Sequence, residues 1–160
     1  MTKTSAALVV MILGLQAAPA FARTDRWSAD TSGDQAAVTD CSDCGDDVGV
    51  LVSCQGAGKT AKLSVPFLAL EAEPDTARET ASLSFTVGSD SFELPASFDA
   101  WGMVGFVPVA ALARSSDIAK AIRRGHAMAV ELDGKKIEFS LKGSASALAA
   151  FEERCGWGDD

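Results

Sequence analysis

Histidine is almost missing from the chain: His126 is the only one in 160 residues. A histidine base needs an acidic partner and a nucleophile within reach, and no G-x-S-x-G turn occurs to present a serine. His126 follows Gly125 at the start of a strand-like stretch and is expected to be an ordinary half-buried side chain. Cysteine is scarce too. Of Cys41, Cys44, Cys54 and Cys155 only the first two are close in sequence, whereas zinc usually takes grouped ligand pairs. Basic residues are outnumbered, 14 Lys and Arg against 22 Asp and Glu, for a formal charge of −8. That balance argues against nucleic acid and anionic membrane surfaces, and permits a basic protein partner or cations. Its commonest meaning is a well-solvated surface. No internal repeat is present, and no apolar run approaches the ~20 residues that span a bilayer.

The longest apolar run, residues 6–15, has the form of a signal. Lys3 supplies a short positive region, the ten-residue run follows, and Ala20-Phe21-Ala22 is a small-x-small cleavage site. Cleavage near Ala22 would leave a mature chain that starts at Arg23 and carries −9, since Lys3 is the only charge removed. The expected location is periplasmic or secreted, with no transmembrane segment in the mature chain. No lipobox cysteine follows the apolar run, which argues against a lipoprotein. A mature chain of this size is enough for one domain with a single core.

Three motifs are suggestive and incomplete. Gly56-Ala57-Gly58-Lys59-Thr60 resembles the end of a P-loop, but Ser53 stands where the first glycine belongs and the residues after Thr60 look extended rather than helical. Cys41-Ser42-Asp43-Cys44 has the spacing of a redox dithiol. The surrounding Asp40, Asp43, Asp46 and Asp47 would raise the thiol pKa rather than lower it. The same acidic stretch lacks the alternating ligands and central glycine of a calcium loop. No catalytic residue, cofactor or metal site is expected from these features.

An even cysteine count in an exported chain points to two disulfides, for which three pairings exist. Cys41–Cys44 with Cys54–Cys155 is favoured. Cys54 ends an apolar strand, and Cys155 shares a helix face with Leu148 and Phe151, at i, i+3 and i+7. That C-terminal helix, capped by Ser144, is expected to latch the domain.

Between the signal and the latch the chain divides into a polar, acidic and mostly irregular arm over residues 23–47, and a single domain over residues 48–160. Strands are expected at 48–53, 60–70 (with Pro66 marking an edge or bulge), 81–87, 91–94, 127–132 and 135–141. Gly88-Ser89-Asp90 and Asp133-Gly134 supply hairpin turns. Residues 101–107 are apolar on both faces and suggest a central strand. Pro108 suits a first helical turn, and Ser115 or Ser116 can cap a helix carrying Ile118 and Ile122, ended by Gly125. The fold class is therefore mainly β: a small antiparallel β-sandwich with one inserted short helix and a C-terminal helix.

The C-terminal half, over residues 125–157, carries two resemblances. Ser140-Leu141-Lys142-Gly143 running on to Ala147-Leu148 resembles the strand-to-helix junction of the invasion-associated locus B family of exported bacterial β-sandwich proteins. Cys54 after a strand, a helix before the last hairpin and the ending Cys155-Gly156-Trp157 are similar to the type VI secretion accessory group called TagO or VasI. Either resemblance implies a non-enzymatic binding or accessory protein that acts through contacts with a protein partner in the periplasm or cell envelope. The contrasting alternative is a periplasmic thiol-disulfide redox protein using Cys41 and Cys44.

Overall fold

A computed structural model describes residues 26–32, 36–41, 47–74 and 81–159. Its elements are β1 (Ser28–Asp30), β2 (Ala37–Thr39), β3 (Leu51–Ser53), β4 (Ala61–Ser64), β5 (Ala81–Val87), β6 (Asp90–Ala100), β7 (Phe106–Leu112), α1 (Asp117–Arg124), β8 (Ala127–Leu132), β9 (Lys135–Ser140) and α2 (Ser144–Cys155). The nine strands form one antiparallel sheet in the order β1-β2-β3-β4-β7-β6-β5-β8-β9. The mainly β fold with an inserted and a C-terminal helix is thus present. The two facing layers expected of a sandwich are halves of one continuous sheet.

Strand β6 makes that continuity. Its residues up to Ala96 pair with β5, and those from Ala96 onward pair with β7. The strand expected at 91–94 is longer and runs on to Ala100; Pro95, which cannot donate a ladder hydrogen bond, lies where pairing passes from one neighbour to the other. The sheet curls until β9 faces the β3–β4 side. Phe139 of β9 stacks on Phe67 with centroids 6.3 Å apart. The Lys135 ammonium donates to the Phe67 carbonyl at 2.8 Å. Alternating residues fill the space between, among them Val52, Leu63, Leu83, Phe85, Val130 and Phe139, all fully buried.

The region expected to be an irregular arm closes the curl. β1 and β2 lie at one end of the sheet order, and Trp27, Ala36, Val38 and Asp40 are buried. The Trp27 amide donates to the Lys142 carbonyl at 2.9 Å, and its indole Nε1–H donates to the Ser140 carbonyl at 2.7 Å. The residue that leads into the first strand is therefore tied by backbone and side chain to the end of the last one. These strands have three residues each, too short for periodicity to reveal.

Asp40 pins the residues that lead into β3. Its carboxylate accepts from the amides of Gly49 at 2.9 Å and Val50 at 3.1 Å, and a Cβ on Gly49 would meet Phe139 at 2.4 Å. Asp40→Ala strands two buried donors and is expected to cost about 2–6 kcal/mol, at ~1–3 for each. Asp40→Asn, which keeps an acceptor, should cost less than about half of that. Urea denaturation of both variants checks this; an alanine variant within about 0.5 kcal/mol of the parent would rule out the pinning role.

Two other stretches differ from expectation. Over 60–70 the strand ends at Ser64 and Pro66 opens a turn of 3-10 helix, Pro66–Leu68. Over 101–107 a 3-10 turn, Gly102–Val104, precedes β7, which then passes through Pro108 instead of starting a helix there. Gly102 and Gly105 both have positive φ, 47° and 100°, and break the strand. The first helix is as expected: the Ser116 hydroxyl accepts from the Ala119 amide at 3.3 Å, and Gly125 is the C-cap. α2 is capped by left-handed Gly143 rather than Ser144. The Ser144 hydroxyl turns inward and donates to the Ile122 carbonyl at 2.7 Å, fixing α2 to α1. His126 is exposed, not half-buried.

Candidate functional site

The latch comes together as the periodicity of α2 requires. Ala147, Leu148, Phe151 and Cys155 are buried on one face, and Cys155 is bonded to Cys54 with Cα atoms 5.7 Å apart. Beyond the bridge, Trp157 is buried. Its Nε1–H donates to the Leu112 carbonyl at 2.8 Å, and its ring meets Phe151 edge-on at 5.7 Å. The Arg123 guanidinium lies 4.9 Å from the Trp157 ring centroid. Glu152 bridges Arg123 at 3.1 Å and Arg114 at 2.6 Å. The Ser115 amide donates to Asp159 and, with the Ser115 hydroxyl, holds that carboxyl below its ordinary range.

The glycine-rich turn that resembles a P-loop serves this latch. The Gly58 amide donates to the Gly156 carbonyl at 2.7 Å, and the Gly158 amide to the Lys59 carbonyl at 2.9 Å. The strand β4 follows it, so no helix N-terminus is present to meet a phosphate.

The cysteines expected as the other site stand apart. Cys41 is buried and disulfide-bonded. Cys44, Asp43 and Asp46 lie outside the described residues, and with them the C-x-x-C motif as a unit. Among the described residues no three His, Cys, Asp or Glu side chains gather closely enough to hold a metal ion, and no helix is long and apolar enough to cross a membrane.

The surface carries two features that the sequence hid within an expected strand. The first is the β6–β7 tip. Met103 there is fully exposed and Val104 half-exposed. The tip is rigidly framed: the Trp101 amide donates to the Gly105 carbonyl at 2.8 Å, the Val104 amide to the Trp101 carbonyl at 2.9 Å, and Leu70 and Phe106 exchange two backbone bonds at its base. A Cβ on Gly105 would lie 2.3 Å from the Leu70 oxygen, so glycine is required there. The two glycines bracketing Met103 and Val104 were the available signal for this turn.

Beside the tip lies the second, a groove of about 520 Å³ lined by Ser53, Cys54, Gln55, Lys62, Ser64 and Trp101. The Lys62 ammonium is paired with Asp99. A wider, open groove of about 910 Å³ runs between α1 and the β5–β6 turn, past Asp90, Arg124 and His126.

No protein-family model matches the chain, and no curated protein matches its sequence. Its structure is similar to the crystal structure of invasion associated protein B from Bartonella henselae, with a TM-score of 0.50 and 14% identity over 81% of this chain and 93% of that one. At this identity the likeness is one of fold. It agrees with the first of the two resemblances carried by the C-terminal half and lends nothing to the TagO and VasI group.

Proposed function

We propose that the chain is an exported, non-enzymatic accessory protein that works by binding another protein of the periplasm or cell envelope. The observation that carries this is the β6–β7 tip. A fully exposed methionine beside a half-exposed valine is unfavourable in water, and here neither can fold away because the frame beneath them is hydrogen-bonded and sterically fixed. A rigid apolar projection on an acidic surface suits the centre of a protein contact, where Met and Trp are enriched. The signal-like N-terminus and the Cys54–Cys155 bond favour an oxidising compartment. The name of the fold neighbour suggests association with invasion as the setting.

A photoreactive residue substituted at Met103 in exporting cells is expected to give one discrete cross-linked adduct. The same residue at Lys136, exposed on β9, should give none. Met103→Asp should abolish binding of the partner so identified. No adduct at Met103, or equal adducts at both positions, would count against the proposal.

A further inference from the structure

We propose that the groove beside Trp101 binds a neutral, hydroxyl-rich ligand, a pyranose unit of a glycan. The central observation is Ser64. It is only 1% exposed, it lines the groove, and its hydroxyl has no hydrogen-bond partner among the described residues. Buried hydroxyls are nearly always satisfied. Alanine would fill this position without stranding a polar atom, so the hydroxyl is the feature that needs an explanation. A serine hydroxyl both donates and accepts, as do the hydroxyls of a sugar.

The remaining walls select the charge and shape of the occupant. Lys62 is neutralised by Asp99, so a free anion would have to displace a carboxylate already in place. A neutral hydroxyl can accept from the ammonium and leave the pair intact. Ser53 and Gln55 add neutral donors and acceptors, and half-buried Trp101 offers a flat apolar face of the kind that packs against the C–H face of a sugar ring. An extended peptide is disfavoured because β3, β4 and β7 each have a neighbour on both sides, leaving no free edge to extend. The walls are fixed in advance. Cys54 is tied covalently to α2, and Trp101 to the framed tip.

Tryptophan emission gives a direct test, independent of partner capture at Met103. Trp27 and Trp157 are buried and hydrogen-bonded through their indole nitrogens, so a ligand in the groove reaches Trp101. Titrating the folded protein with maltotriose and with tri-N-acetylchitotriose should give a saturable change with at least one, half-complete below about 1 mM. By calorimetry, Trp101→Ala and the rim variant Gln55→Ala should weaken that binding, the first about tenfold or more. Ser64→Ala should weaken it while leaving the melting temperature unchanged or higher. No saturation with either sugar up to about 10 mM overturns the proposal. So does sugar binding that all three variants leave intact, or a lower melting temperature for Ser64→Ala with binding unaffected.

Discussion

Cys54→Ser and Cys155→Ser together are expected to remove about 4–5 kcal/mol of stability, the chain-entropy value for a bridge that closes about 100 residues. The two cysteines are 101 residues apart. The effect should be large against a typical stability of ~5–15 kcal/mol because the bond and the packing of α2 support each other. A helix of 12 residues is marginal alone in water. Its docking depends on burying Leu148, Phe151 and Cys155, and Trp157 beyond the bond closes over Phe151. Urea denaturation of the double variant against the parent measures the loss, and a change below about 1 kcal/mol would show that packing alone holds the latch. The favoured Cys41–Cys44 bridge would close so short a loop that its removal should cost about 2 kcal/mol or less.

Trp27→Ala should be of similar size, about 3–5 kcal/mol, the range for truncating a large buried aromatic. The indole is 3% exposed, and its Nε1–H is bonded to the Ser140 carbonyl. Trp27→Phe separates the two contributions: it keeps most of the buried ring and loses the side-chain bond, for about 1–3 kcal/mol from the stranded carbonyl and lost contact. If residues before Val48 were only an arm lying on a finished domain, both substitutions would fall within about 1 kcal/mol of the parent, and thermal or urea melts decide between these outcomes.

Much of the fold was legible where a side-chain pattern persists for a full element. Ile137 and Phe139 alternate with charged residues along β9, Ser116 and Gly125 bracket α1, and Leu148, Phe151 and Cys155 recur on one face of α2. The long pairing of Cys54 with Cys155 followed from that last face. What the sequence hid was short or locally contradictory. β1 and β2 are too brief to show a period, and Pro95 and Pro108 lie within strands that pairing with neighbours sustains. The tip was missed for the opposite reason. Trp101 to Val107 has the apolar character of a buried strand, and only the backbone freedom of Gly102 and Gly105 turns Met103 outward. The orphaned Ser64 hydroxyl has no sequence signature, because its isolation depends on which strands lie beside β4.

The closure at Trp27 also dictates an order of assembly. β5, β6 and β7 are joined by short connections and pair with near neighbours in sequence, so they can form early at small entropic cost. The bond from Trp27 to Ser140 spans 113 residues and needs both ends of the domain to be present. In a chain synthesised from its N-terminus, β1 can pair with β2 early, but Trp27 must wait for its partner until β9 and α2 have been made. The ring is completed last, and until then the open rim of the sheet is the stretch most exposed to pairing with another chain.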